Sequence, residues 1–514
     1  MNVEGSGPAG DQVQDKSPSL TRRAVSGMVW TAWGSAAMAV LKVVVLVLLT
    51  RLLTPADFGV VGAALVVISF SLNFSQLGLG PAVVQRPVLE ARHISTAFFA
   101  SFAFGCLVGA GIWLGAPLIA QFFRMPALAP VVRWLALIFP IAGLATVPDS
   151  LLTRNLRFRL IANRDVLAYG LGYGVVGVVL ALMGWGVWAL VAAQLAQMGL
   201  RTAILLRAAP PPLGAAPTWG SFIELMDYGV GQSAARLGVI LANQVDNMVV
   251  GRWLGAIALG LYSRAFQLMS VPTALLGDVL DRVLFPTMAR VQDDPRRLGS
   301  AYLHGVAMMA LVTLPVSVVV AVLAPELVAV AFGKRWEALV PPFQILLLGM
   351  MFRTSSRMSD SLSRATGKVY RRAWRQVLFA GLVFFGAWVG HHWGVTGVAL
   401  GVLCALILNY TLMAQLSLSV VPVSWGKFFQ SQLPAVRLAV VAGGVAFAII
   451  EGTRHLGLPP LAGLLAGTIA GGGSALVAGW LLPSFALGEH GMRMRDLLLS
   501  QVALVRPFRM RKPA

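Results

Sequence analysis

The chain has 514 residues, of which 57% are hydrophobic and only 12% charged, with a mean hydropathy of +0.78. An ordinary globular domain carries about 25% charged residues, so the composition excludes a soluble enzyme or binding module and indicates an all-α polytopic membrane protein. A formal charge of +20 would suit a nucleic acid, but the basic residues lie in short loops between apolar runs rather than on one continuous basic face, so no nucleic-acid partner is expected.

Residues 1–23 are rich in Gly, Ser and Pro and carry little that can pack, so a disordered cytoplasmic tail is expected. Thr21-Arg22-Arg23 imitates a twin-arginine export signal only superficially, because the apolar run behind it is too long and contains Lys42. It reads as an uncleaved first membrane helix. Apolar segments follow at 25–49, 58–80, 95–119, 130–152, 166–183, 186–206, 228–250, 254–276, 302–324, 339–361, 374–391, 393–416, 433–451 and 459–482. Each is close to the roughly 20 residues that a bilayer core requires. The expected organisation is an N-lobe over 24–210 and a C-lobe over 221–420, each of six segments, then two extra helices over 430–483 and a basic amphipathic tail over 484–514. That tail, with Arg493, Arg495, Arg506, Arg509, Arg511 and Lys512 around a short apolar stretch, is expected to lie on anionic membrane lipids.

Cytoplasmic loops are enriched in Lys and Arg. Loops on the N-terminal side of the membrane hold 26 of them, among them Arg154, Arg157, Arg297 and Arg371, and the opposite side holds six: Arg51, Arg124, Arg252, Lys334, Arg335 and Arg454. Both termini are therefore expected in the cytoplasm.

The chain repeats itself. An offset of 201 matches Arg51, Leu53, Gly59, Ala64 and Ser69 to Arg252, Leu254, Gly260, Ala265 and Ser270; Asp149-Ser150-Leu151 recurs as Asp360-Ser361-Leu362 and Trp185-Gly186-Val187 as Trp393-Gly394-Val395, at offsets of 211 and 208. An even number of segments per half makes the repeats parallel, about an axis along the membrane normal, as in transporters whose site lies between the halves.

The repeat gives the polar residues within the segments a common direction. Thr31, Ser35 and Lys42 share one face of the first segment, and the 201 offset carries them onto Gln232, Arg236 and Asn243 of the seventh. Arg353, Arg357, Asp360 and Arg364 occupy one face of the tenth segment, while the eighth adds Arg264 and Gln267 and the second adds Ser69, Asn73 and Gln76. Charge at membrane depth is costly and usually functional. By depth, Arg236 and Arg264 lie near the midplane, Lys42 in the outer half, and Arg353 and Arg357 toward the cytoplasm. Structural ion pairing offers the alternative: Asp246 with Arg252 or Arg264, and Asp360 with Arg357. Asp246 reads as the one carboxylate well inside these segments, so a cationic cavity suited to an anionic cargo is expected. Arg133, Arg201 and Arg437 lie near segment ends, where long side chains snorkel to the interface.

Other chemistry is sparse. Cys106 and Cys404 fall in apolar segments without metal-ligand spacing. His391-His392 has no third ligand nearby, and Gly78-Leu79-Gly80-Pro81 reads as a turn. There is no Walker phosphate loop and no catalytic triad or paired carboxylates, so no catalytic residue, metal site or cofactor is expected.

At TRLLTPADFGVVG (Thr50 to Gly62), QLGLGPAVVQR (Gln76 to Arg86), VDNMVVGRWLGAIALGLYSRAFQLMSVP (Val245 to Pro272) and VLFPTMARVQDD (Val283 to Asp294) the sequence resembles bacterial polysaccharide transporters. These are the Wzx-type lipid-linked oligosaccharide flippases of the multidrug/oligosaccharidyl-lipid/polysaccharide superfamily. The likeness covers about residues 20–420. It implies two six-helix lobes, alternating access, and an undecaprenyl-diphosphate-linked sugar unit moved to the outer leaflet for exopolysaccharide, O-antigen or capsule synthesis. It also implies partnership with a polysaccharide polymerase and a chain-length regulator. The family has no shared catalytic motif, so the candidate cavity residues, Lys42, Asn73, Gln76, Gln232, Arg236, Asn243, Arg264, Gln267, Arg353 and Arg357, rest on the polar faces alone. Two alternatives stand beside this reading. A drug or cation antiporter of the same superfamily needs acidic groups in its cavity, and a membrane-embedded polysaccharide polymerase or ligase usually carries a large outward loop, which this chain lacks.

Overall fold

The protein is described by a computed structural model that covers residues 20–76, 78–212, 214–226, 243–488 and 491–492. Hydrocarbon offers the backbone no hydrogen-bond partner, so N–H and C=O groups must be satisfied within each segment and a chain this apolar becomes helical. The described residues contain no strand. The membrane-length helices are α1 (Leu20–Leu52), α2 (Pro55–Gln76), α3 (Ala91–Phe123), α4 (Ile138–Arg154), α5 (Phe158–Leu182, π-helical over Ala168–Val175) and α6 (Val187–Ala208) in the first half. Then come α7 (Gly255–Arg290), α8 (Pro295–Val322), α9 (Val340–Ala365), α10 (Val369–Gly390), α11 (Gly394–Leu418), α12 (Leu433–His455) and α13 (Pro460–Leu481).

Twelve stretches of the described residues are long and apolar enough to cross a membrane, where the sequence suggests fourteen segments. Tyr370–Leu418 is one apolar stretch holding two helices, α10 and α11, because the turn between them, His391–Trp393, carries nothing charged enough to interrupt it. The expected seventh segment, 228–250, falls largely in 227–242, outside the described residues. Gly78–Pro81, expected as a turn, opens a short helix, Leu79–Gln85, whose closing carbonyls accept hydrogen bonds from Arg154 Nη1.

The internal repeat has a geometric counterpart. α2 packs along α7, and a Cβ on Gly59 would lie 1.7 Å from Ala256 O while one on Gly260 would lie 1.9 Å from Pro55 O. The 201 offset converts Pro55 into Ala256 and Gly59 into Gly260, so each contact is the image of the other, as a two-fold axis requires. Gly186 and Gly394, matched at the 208 offset, open α6 and α11 from the same region of backbone space, at φ 52°, ψ −128° and φ 69°, ψ −157°. An L side chain is strained there, which is why both halves place glycine at this turn. The aspartates matched at 211 also do the same work: Asp149 accepts from Arg164 of the next helix at 2.5 Å, and Asp360 binds Arg372 of the next helix.

The pairing at Asp149 carries an expected result. Arg164 is 2% exposed and Asp149 31%, so Asp149→Asn leaves a buried guanidinium short of charge. Fully buried pairs lose 3–5 kcal/mol when one partner goes; the partial exposure here reduces this to about 2 kcal/mol. A lower melting temperature for Asp149→Asn, with a smaller fall for Asp360→Asn, checks it by thermal unfolding in detergent.

At the Arg51 end the halves are clasped together. Trp336 and Phe58 are both fully buried and meet edge to face at 5.5 Å, and Trp336 Nε1 donates to Thr50 O at 2.9 Å. Arg51 Nε donates to Ala331 O at 3.0 Å and its Nη2 to Val330 O, capping the end of the short helix Ala324–Ala331. A cation suits that helix end. α12 is tied to the same helix by Arg454, whose Nη2 lies 2.6 Å from Glu326 Oε1. Before the second half, Glu224 is held by Arg86 and lies 3.3 Å from His93 Nε2; the Arg86 hydrogen bond keeps its carboxyl below the usual range.

Candidate functional site

The stretch Tyr262–Gln267 of α7 carries most of the site. Arg264 points toward the first half of the chain, where its guanidinium lies 4.8 Å from the centre of the Phe58 ring. Tyr169 and Tyr173 of α5, stacked at 5.2 Å, lie within its electrostatic reach. One hydrogen bond, from Nη1 to Gln267 Oε1, serves it, and its buried Nε has no partner. No described carboxylate is within ion-pairing distance of Arg264. Aromatic faces attract the cation, but they do not neutralise it.

Arg353 of α9 forms a second group on the other side of α7. Its Nη2 donates to Asn243 Oδ1 at 3.1 Å and its guanidinium lies 4.7 Å from the Phe266 ring centre. Asp246 is buried, accepts from Tyr262 Oη at 2.8 Å and from the Asn247 N–H at 2.9 Å, and lies within reach of the Arg353 charge. The pairings expected from sequence are therefore corrected. Asp246 bonds Tyr262, not Arg252 or Arg264, because its side chain lies against the buried face of α7. Arg252 instead sits over the Phe122 and Trp253 rings, and Asp360 pairs with Arg372 and Arg364 rather than Arg357.

The other candidates divide. Arg357 lies one turn beyond Arg353 on α9 and is half-buried. Lys42 lines a cavity with Ser35, Asp165, Tyr169, Gln197 and Arg201; expected in the outer half, it shares walls with residues near the Arg164 end of the bundle. Gln232 and Arg236 lie outside the described residues, as do the side chains of Asn73 and Gln76. Arg201 does not snorkel: its Nη2 meets Asp149 at 2.8 Å. Arg133 and Arg437 rest over Trp113 and Phe485. The rings of His391 and His392 lie 4.1 Å apart, tilted by 38°, and no group of three or more metal-ligating side chains occurs among the described residues.

Sequence reasoning missed the network of Asp149, Arg164, Asp165 and Arg201 and with it two carboxylates at the ends of apolar segments. It also missed Phe58, Tyr169 and Tyr173. The four-residue spacing of the tyrosines in an otherwise aliphatic run was the available signal.

Comparison with known proteins fits this geometry. A succinoglycan biosynthesis transport protein, ExoT, of Rhizobium meliloti is 26% identical over 379 residues, covering 72% of this chain and 76% of the relative. The teichuronic acid biosynthesis protein TuaB of Bacillus subtilis is 24% identical over 448 residues, 86% of this chain and 92% of its own. Among solved structures, that of the lipid II flippase MurJ in an inward closed conformation superposes with a TM-score of 0.72 at 12% identity, over 92% of this chain and 100% of that one. The chain thus shares the fold of that structure. The family model for polysaccharide biosynthesis protein matches residues 48–341, more than half of the sequence, across both the α2–α7 contact and the Arg264 group, and the chain belongs to that family.

Proposed function

We propose that the chain is a flippase that moves an undecaprenyl-diphosphate-linked oligosaccharide from the cytoplasmic to the outer leaflet by alternating access. The observation that carries this reading is Arg264: a guanidinium deep in the bundle, among aromatic rings of the opposite half, with no described carboxylate beside it. A guanidinium at that depth costs about 2.5–3.5 kcal/mol by insertion scales, and a phosphate accepting two parallel hydrogen bonds offsets this. Arg353 and Lys42 supply further positive charge to the walls. An inside-negative potential favours outward movement of the diphosphate by roughly 2.3 kcal/mol per charge per 100 mV, while the polyprenyl tail stays in lipid. The relative named as a succinoglycan transport protein supports the same class of cargo.

The antiporter reading needs a free carboxylate for Na⁺, H⁺ or a cationic drug. Among the described residues, Asp149, Asp165 and Asp360 are each taken by arginine and Asp246 by Tyr262, which weighs against it. The direct test is transfer of a radiolabelled lipid-linked sugar across proteoliposomes, with the glycan profile of a deletion strain beside it. No transfer, together with a normal surface glycan, overturns the proposal.

Both termini lie in the cytoplasm on this reading, and the clasped Arg51 end faces outward. Cysteines at Thr54 and Lys334 are then expected to react with an impermeant thiol reagent from outside, and those at Arg157 and Arg371 only after the membrane is opened. One reversed site refutes the orientation.

A further inference from the structure

We propose that the cavity between α1, α5 and α6 is the sugar subsite of this transporter, seating a carbohydrate ring of the lipid-linked substrate beside the diphosphate at Arg264. The cavity has a volume of about 370 Å³, within the 300–1,000 Å³ usual for small-molecule sites. Tyr169 joins it to Arg264, because the same side chain lines the cavity and lies within reach of that guanidinium.

Three residues of its wall, Lys42, Gln197 and Tyr169, carry polar groups that make no hydrogen bond with any described residue. A fourth, Arg201 Nε, has no hydrogen bond and lies 3.6 Å from Asp165 Oδ1. Polar groups facing into a helix bundle are normally paired with protein or water, so a cluster that the protein leaves open is free to meet a ligand that brings its own donors and acceptors. Sugar hydroxyls do both. The wall matches them in kind, with donors only on Lys42 and Arg201, acceptors only on Asp165, and both on Gln197 and Tyr169.

The aromatic component is also placed for a sugar. Tyr169 and Tyr173 sit in the π-helical stretch Ala168–Val175 with their rings 16° from parallel. π-helical turns are uncommon and frequent at functional sites. Tyr169, the member of the pair that lines the cavity, offers an apolar ring to the C–H side of a pyranose, leaving its hydroxyls to the polar wall. The competing occupant is a second anion drawn by Lys42. Asp149 and Asp165 already neutralise Arg164 and Arg201, so the wall is only weakly positive and favours a hydroxylated ring.

This inference rests on the flippase reading, and its test separates the two. Affinity is measured in nanodiscs for bare undecaprenyl diphosphate and for the same lipid carrying one glucose, galactose or N-acetylglucosamine. The wild type is expected to bind at least one glycosylated probe about tenfold tighter than the bare lipid, the effect of one or two well-made hydrogen bonds. Gln197→Leu, nearly isosteric, should bring that ratio to about one, and Tyr169→Leu should reduce it. Equal binding of bare and glycosylated lipids by the wild type, or a preference that survives Gln197→Leu in protein that elutes as a folded monodisperse peak, overturns the sugar subsite. An equal weakening of both probes in Arg264→Met bears on the diphosphate site instead, since that change should lower both affinities together and leave their ratio intact.

Discussion

Replacing Arg264 is expected to abolish glycan export while leaving the protein inserted and as stable as before. Two hydrogen bonds from a guanidinium to a phosphate, each worth about 1.5–3 kcal/mol, amount to a hundredfold loss or more when both go. The same change removes a buried Nε–H that has no partner and a charge with no described counter-ion, so folding loses little. Arg264→Met is the cleaner variant, because it keeps an apolar stem above Phe58 and opens no large cavity. Arg264→Lys retains charge without the forked geometry and should recover activity only in part. If Arg264 were a structural ion-pair partner, Arg264→Met would melt early and lose expression. A melting curve beside the transport assay decides: stable and inactive supports the site, unstable or fully active rejects it.

The second large effect is expected at the α2–α7 crossing. An added Cβ at Gly59 or Gly260 would overlap a backbone oxygen at 1.7 or 1.9 Å, and backbone cannot rotate aside as a side chain does. Overpacking of this kind costs about 1–3 kcal/mol, the upper end applying where the obstacle is rigid. Gly59→Ala and Gly260→Ala should each hold the two halves apart at the Arg51 end and reduce transport severalfold or more. Ser263, which faces Gly62 across the same contact, reports on it: Ser263→Cys is expected to be protected from a thiol reagent in the wild-type background and reactive in either alanine background. Because both changes open one interface, the double variant should be little worse than a single one, a non-additivity typical of sites that share a contact. Strict additivity, or normal transport with Ser263→Cys still protected, removes the crossing from the mechanism.

Fold class was legible in the sequence because it depends on composition and length, which act segment by segment. The internal repeat was legible for a similar reason: a two-fold crossing needs small residues at equivalent positions, and Gly59 with Gly260 shows that spacing along the chain. Trp185-Gly186 and Trp393-Gly394 mark a turn conformation that few other residues adopt, so local backbone energetics wrote the signal twice. The apolar stretch over α10 and α11 shows the limit of this reading, since hydropathy does not see an uncharged turn. Charge pairing was decided only by the tertiary structure. Asp149 meets Arg201 across 52 residues, and Phe58 meets Arg264 across more than two hundred; such pairings depend on which helix faces lie together, a property of packing that no single segment encodes. The sequence by itself determined that arginines would sit at membrane depth. Which of them is neutralised, as Arg201 is by Asp149, and which is left facing only aromatic rings and an amide, as Arg264 is, the tertiary structure decided, because an ion pair is stabilised over a few ångströms and only folding brings the partners that close.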